Sequence, residues 1–286
     1  MLAGSSSCSS ADGPACEDPI VDAGNPSGPA FDAGSAGPFK ILLYTYSTGF
    51  RHDSIPFGIA AIRALGATNG FGVDVKGSAL SQRGTYCANR PEPADVAYFR
   101  AENLSPYAAV VFLNTTTLET ATSAILDDTG KAALEAYVRG GGGFVGVHAA
   151  ADAEYGWAFY HDLLGATFLD HGPPVESSLR IEDATHPAAS ALPNPWLRYD
   201  EWYDFTENPR SMAHVLINLD EATYPGNPSP MGDHPIAWCK VIGDGRSFYT
   251  GLGHTGDAFS DAIVLRHLLG GILYATGEIA ADCSPH

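Results

Sequence analysis

Apolar and polar positions along the chain follow two alternating periods. Residues 40–46 (KILLYTY) form a short apolar run, and the turn STGFRHDS leads into residues 55–65, where apolar positions recur at helical spacing. Ser54 is placed to cap that helix, and Pro56 falls in its first turn, where a missing N–H breaks no hydrogen bond. Residues 71–77 (FGVDVKG) predict a second strand, residues 108–114 (AAVVFLN) a third, and residues 128–139 a helix carrying Ala132, Leu134, Ala136 and Val138. The four glycines from Gly140 to Gly143 end that helix and open a strand in which Phe144, Val145 and Val147 run up to a lone histidine, His148. Uninterrupted apolar strands are those covered on both faces, and strand–helix alternation means crossover units on a parallel sheet. The first half thus predicts an α/β fold with a doubly wound, mostly parallel sheet and helices on both faces. Ligands bind such sheets at the carboxyl ends of their strands, where His148 stands.

Beyond a predicted helix over residues 155–164 the pattern changes to short strands: SSLRIED, RYDEWYDF, AHVLINL, IAWCKVI and RSFYTGLG, separated by Pro, Asn and Gly. An amphipathic helix over residues 261–277 closes the chain, its interior glycines letting it lie close on the sheet. We expect a β-rich extension of one sheet, in one domain over residues 39–278 followed by a short tail, 279–286. The polar stretch 81–93, with Cys87, reads as a loop insertion.

Residues 1–38 are a different material, rich in Ser, Gly, Ala, Pro and Asp, and read as a disordered tether. MLAGSSSC resembles the stub of a bacterial lipoprotein signal with Cys8 as its lipidated cysteine. Lipidation of Cys8 would leave Cys16, Cys87, Cys239 and Cys283 for two disulfides, against the alternative of unpaired thiols in a cytosolic enzyme. The expectation is an exported, periplasmic or cell-surface lipoprotein with a membrane tether. The 286 residues are 45% hydrophobic, enough for a sizeable core. With 33 acidic against 15 basic residues and a formal net charge of -18, a nucleic-acid partner is excluded, since phosphate backbones require clustered Lys and Arg.

Four histidines stand at predicted strand or loop ends: His52, His148, His171 and His254. With Asp200 and Glu201 they form the candidate chemical constellation. One reading makes His148, His171, His254 and Glu201, with His52 as a further candidate, ligands of a divalent metal such as zinc. The other makes His148, Glu201, His254 and His52 a metal-free acid/base set acting beside a sugar carbonyl. Strand alternation places Asp200 and Glu201 on opposite faces, so the two acids do not both project into one pocket. An ion pair of Glu201 with Arg51 or Arg246 is the competing structural role. Trp157 and Tyr203 are candidate platforms for a small-molecule carbohydrate, with Asp152 and Asn114 fixing hydroxyls and His171 supporting them. His186 and His234, each before proline, read as structural, and His161 and His267 as surface or core-edge residues of helices.

Taken in order, GFRHDSI, GGGFVGVHAA, WAFYHDLLGATFLDH, DEWYDF, DHPIAW and GRSFYTGLGH resemble the motifs of the ThuA-like family, named for trehalose utilisation, over nearly everything from Lys40 to Gly277. The resemblance implies a flavodoxin-like sheet related to the class I glutamine amidotransferases and a role in sugar metabolism. It places the substrates among keto-disaccharides or related oxidised sugars, and its motif centres on Glu201. In the amidotransferase relatives a nucleophilic cysteine ends the strand that corresponds to GFVGV. Here His148 occupies that position, and an imidazole forms no stable thioester, so glutamine hydrolysis is not expected. The expected function is an enzyme acting on an oxidised (keto) sugar or glycoside by isomerisation or by cleavage next to a carbonyl. The rivals are a non-catalytic carbohydrate-binding lipoprotein and a metal-dependent hydrolase.

Overall fold

The computed structural model describes residues 38–77, 97–120 and 123–285. Cys8, Cys16, Cys87, the tether through residue 37 and the predicted loop insertion lie outside the described residues. The first half forms β1 (Lys40–Tyr44), α1 (Ile55–Asn69), β2 (Gly72–Lys76), α2 (Ala101–Leu104), β3 (Ala109–Leu113), α3 (Asp128–Arg139) and β4 (Gly143–Val147). The second half adds α4 (Ala158–Leu164), β5 (Phe168–His171), β6 (Val175–Ile181), β7 (Trp196–Asp200), β8 (Tyr203–Phe205), β9 (His214–Leu219), β10 (Pro235–Ile242), β11 (Gly245–Thr250) and α5 (Ala262–Ala275). Nine strands make one sheet in the order β2-β1-β3-β4-β11-β10-β9-β6-β7, and β5 pairs with β8 in a separate ribbon.

Strands β2, β1, β3, β4 and β11 are mutually parallel, whereas every pairing beyond β11 is antiparallel. The switch follows from the connections: β10 reaches β11 through a tight turn, which permits only an antiparallel neighbour, while β1 and β2 are joined through a crossover helix. Alternation along β1 sends Ile41 and Leu43 into the core beneath α1 and α5, and Leu42 and Tyr44 into the core beneath α3 and α4. Burial on both faces is what makes β3 and β4 apolar throughout. A Cβ on Gly271 of α5 would overlap the Phe248 ring, so glycine there lets the helix seat directly on β11. No helix among the described residues is long and apolar enough to cross a membrane.

Four local expectations are corrected. RYDEWYDF is not one strand: the chain leaves the large sheet at Asp200, breaks at Glu201 and Trp202, and joins the β5–β8 ribbon at Tyr203. FLDH, absent from the strands read from the pattern, is β5, because it finds β8 as a partner. Ser54 makes no capping bond; its hydroxyl is drawn to the Gly253 carbonyl, 3.0 Å away. His267 is neither at the surface nor at the core edge but fully buried, bonded to the Ala188 carbonyl and the Thr250 hydroxyl. Cys239 and Cys283 form a disulfide that fastens the C-terminal tail to β10.

Candidate active site

Three parallel strands of the sheet deliver histidines to one edge of it. His52 follows β1, His148 is the first residue after β4, and His254 lies four residues after β11. Their ring centroids form a nearly equilateral triangle: His52 to His148 is 5.0 Å, His52 to His254 is 5.2 Å, and His148 to His254 is 5.3 Å. His52, His148 and His254 therefore stand together on one rim.

His148 sits at φ +47°, a left-handed conformation uncommon outside glycine. Two bonds hold the turn. The Tyr249 hydroxyl donates to the His148 carbonyl at 2.8 Å, and His148 Nδ1 donates to the Gly251 carbonyl at 2.8 Å. A carbonyl can only accept, so Nδ1 carries a proton, and in the singly protonated ring the lone pair of Nε2 faces the site. That Nε2 is buried, has no hydrogen-bond partner and faces Glu201 Oε2 at 3.6 Å. Glu201 arrives from the break between β7 and β8. Its Oε2 is also 3.0 Å from His254 Nδ1, and its Oε1 is 3.2 Å from His171 Nδ1. Its neighbours are imidazoles, not the guanidinium of Arg51 or Arg246. Ligating atoms of His52, His148, His254 and Glu201 all lie within 4.8 Å of one another. His171 stands outside this set, 40% exposed at the rim, with Nδ1 against the Gly172 carbonyl at 2.8 Å.

Electrostatics divides the four. Burial, with His148 and His254 adding to it, pushes His52 well below the ordinary imidazole value and holds it neutral. Burial raises the Glu201 carboxyl, but the contacts with His148 and His254 more than reverse this and leave it below the usual carboxylate range. Burial lowers His254, and Glu201 outweighs it, so that ring is raised.

A second layer fixes the His254 loop. Asp200 accepts the Gly253 and His254 N–H groups, each at 3.0 Å. The Gly253 carbonyl accepts from Ser54 Oγ and from Asn114 Nδ2, both at 3.0 Å, and Asn114 Nδ2 also donates to Ser54 Oγ at 2.8 Å. Asn114 is wholly buried, with its amide N–H groups used in this latch, so it does not offer them to a sugar hydroxyl.

The aromatic assignments also change. Tyr203 is 3% exposed, its ring held between His148 at 4.3 Å and Phe168 at 4.4 Å, so it is a wall of the site with no free face for a sugar. Trp157 stacks on Tyr160 at 5.9 Å with Lys131 over its ring, and no ring contact joins it to the histidines. Asp152 follows the turn that His148 begins, takes a 2.5 Å bond from the Tyr155 hydroxyl, and is pushed up to about 7 by burial. Phe50 was missed: it is 56% exposed, edge-on to His52 at 4.9 Å. Its place in GFRHDS, two residues before a candidate histidine, was the available signal.

The family model for ThuA, described as trehalose utilisation, matches residues 40–275. A comparison with curated proteins gives no match. Among solved structures, a putative ThuA-like protein from Bacteroides uniformis is 26% identical, with 86% of this chain and 95% of that one covered and a TM-score of 0.65. A putative ThuA-like protein from Parabacteroides merdae is 22% identical over 86% of this chain and 93% of its own, with a TM-score of 0.62. A cytoplasmic protein from Salmonella typhimurium shares the fold at 12% identity, covering 83% of this chain and 98% of its own with a TM-score of 0.53. With the match spanning both the strands that carry the histidines and the segment that carries Glu201, the chain belongs to the ThuA, trehalose utilisation, family.

Proposed function

We propose that the chain is an enzyme of carbohydrate metabolism acting on an oxidised (keto) sugar or glycoside, with a divalent metal such as zinc held by His52, His148, His254 and Glu201. One observation carries the reading: buried ring nitrogens of His52 and His148, without a hydrogen-bond partner, and His254 Nδ1, 3.0 Å from Glu201 Oε2, converge on one carboxylate. A neutral His148 turns its Nε2 lone pair toward a carboxylate oxygen, an arrangement that needs a cation or a proton between them. Two ligands each about 2 Å from one zinc ion stand roughly 3 Å apart, close to the 3.0 Å between Glu201 and His254. The Gly251 carbonyl on His148 Nδ1 is the outer-shell partner that orients a metal-binding imidazole.

The metal would polarise a substrate carbonyl. Glu201 and His148 bind and orient, His52 stays neutral, and half-exposed His171 stands at the rim beside Glu201 Oε1. Asp152, with its raised carboxyl, is the proton carrier, and Phe50 offers the open aromatic face that Tyr203 lacks. The family's description supports a sugar substrate. We read the order β2-β1-β3-β4-β11 as a flavodoxin-like sheet and the positive φ of His148 as the counterpart of the nucleophile turn in class I glutamine amidotransferases, without a thiol for glutamine hydrolysis. The Cys239–Cys283 disulfide supports an oxidising, extracytoplasmic compartment.

A second reading, imidazole acid/base catalysis without metal, is favoured by the close Glu201–His254 pair and the raised His254. Inductively coupled plasma mass spectrometry on the purified full chain separates the two. A transition metal lost in His148→Ala supports the metal reading. No metal at this cluster, with turnover of a keto-sugar abolished by His148→Ala, supports the acid/base reading, and no turnover under either condition removes the enzyme proposal.

A further inference from the structure

Across the Tyr203 wall from the histidine triangle lies a second group of acid and imidazole side chains. Asp204 is the residue after Tyr203 on β8, Glu221 begins a 3-10 turn after β9, and His234 immediately precedes β10. Asp204 and His234 are completely buried, and Glu221 is largely so. Ligating atoms of the three lie within 4.8 Å of one another.

The hydrogen bonds of His234 do not close. Nε2 is 2.9 Å from the Tyr203 carbonyl, which can only accept, so Nε2 carries a proton. In the neutral ring the Nδ1 lone pair then faces Glu221 Oε1, a carboxylate oxygen, at 2.9 Å. Two lone pairs at that distance require a proton or a cation between them. A proton on Nδ1 would settle His234 and Glu221 but would leave Asp204, whose two carboxylate oxygens are both buried without a hydrogen-bond partner. Its nearer approach to the ring is 3.9 Å, from Oδ1 to Nε2. Asp204 is buried with no hydrogen bond to either carboxylate oxygen and with His234, at 3.9 Å, as its charged neighbour, an arrangement that is costly, and one divalent cation would answer all three groups. The Glu221 carboxylate is already aimed, since it accepts the Met231 N–H at 2.6 Å and the Gly232 N–H at 2.8 Å.

We propose that Asp204, Glu221 and His234 form a second divalent-cation site, distinct from the histidine cluster, which clamps β8 to the turn after β9 and the start of β10. The His234 Nε2–H on the Tyr203 carbonyl is its outer-shell bond, setting the tautomer that leaves Nδ1 for the metal. One imidazole and two carboxylates suit zinc or manganese. The site is a structural one: built on the buried Asp204 and His234, it fixes the backbone of the residue whose ring lies 4.3 Å from His148.

The test uses the full chain carrying His148→Ala and His254→Ala, stripped with chelator and titrated with zinc chloride by calorimetry. One equivalent bound with a raised melting temperature is expected. Adding Glu221→Gln or Asp204→Asn should weaken that binding by at least about tenfold and remove the thermal shift. Glu221→Gln keeps the shape of a partly exposed side chain and guards against a folding failure of the Asp204 variant. No zinc uptake in the doubly substituted chain, or uptake indifferent to Glu221→Gln, overturns the proposal in favour of a proton-bridged cluster. The chain without substitutions separates the two metal readings: loss of an equivalent only on Glu221→Gln sinks the histidine-cluster site, and loss only on His148→Ala sinks this one.

Discussion

Asp200 holds His254 by its backbone: Oδ1 accepts the His254 N–H at 3.0 Å while Oδ2 accepts the Gly253 N–H at 3.0 Å. The next residue, Glu201, meets the His254 ring at 3.0 Å. One dipeptide therefore sets both the loop and the imidazole that the loop presents. Asp200→Ala leaves three N–H groups, those of Glu201, Gly253 and His254, without their charged acceptor and should cost about 3 kcal/mol, with loss of any metal held at the cluster. Asp200→Asn, which keeps one acceptor oxygen, should cost less. Urea unfolding of both variants, alongside metal content, checks the order.

Gly253 is the other half of that loop. Its φ is +123°, and an added Cβ would stand 3.1 Å from Phe259 Cζ and 3.2 Å from Val147 Cγ1. Gly253→Ala combines a disfavoured backbone conformation with crowding and should destabilise by about 1–3 kcal/mol. The neighbouring His254 should shift with it, so that activity or metal affinity falls further than stability alone accounts for. A melting curve together with a substrate or zinc titration distinguishes the two effects.

The parallel half was legible in the chain because apolar runs and helical spacing are local properties, and residues 128–139 fell on α3 to the residue. The second half was harder for a physical reason. Period-two alternation identifies a strand without naming its partner, so nothing in RYDEWYDF told that the chain changes sheets at Glu201. That change is what frees Glu201 to meet histidines from β1, β4 and β11. Histidines at strand ends could be picked out one by one, but their 5 Å triangle depends on strand order. The roles of Asn114 and Tyr203 were misread because the burial of a polar or aromatic side chain is decided by segments far away in sequence.

The buried His267 makes a pH prediction. Burial lowers its value from 6.5 to about 4, so between those limits the unfolded chain binds a proton that the folded chain refuses. Stability from this group is therefore complete above pH 6.5, declines as the pH falls toward 4, and changes no further below it. The integrated loss is on the order of 3 kcal/mol. His186, lowered to about 3 by burial, acts with the same sign. Urea midpoints measured between pH 7 and pH 4.5 should fall more steeply for the native chain than for His267→Gln. Equal slopes would assign the acid sensitivity elsewhere.

The Cys239–Cys283 disulfide closes a loop of 44 residues that contains β11 and all of α5. β11 is the strand next to β4, and the loop that follows it carries His254. Crosslinking a loop of that length restricts the unfolded chain by about 2–4 kcal/mol, and because the constraint acts on the unfolded state it need not alter the site. The Cys239→Ala/Cys283→Ala chain should therefore melt lower and unfold at lower urea, while zinc or substrate affinity below the transition stays near that of the native chain. A reducing agent should reproduce the lower melting point in the native chain and leave the variant unchanged. A loss of affinity at temperatures where the variant is still folded would mean instead that the disulfide positions β10 and β11, and through them His254.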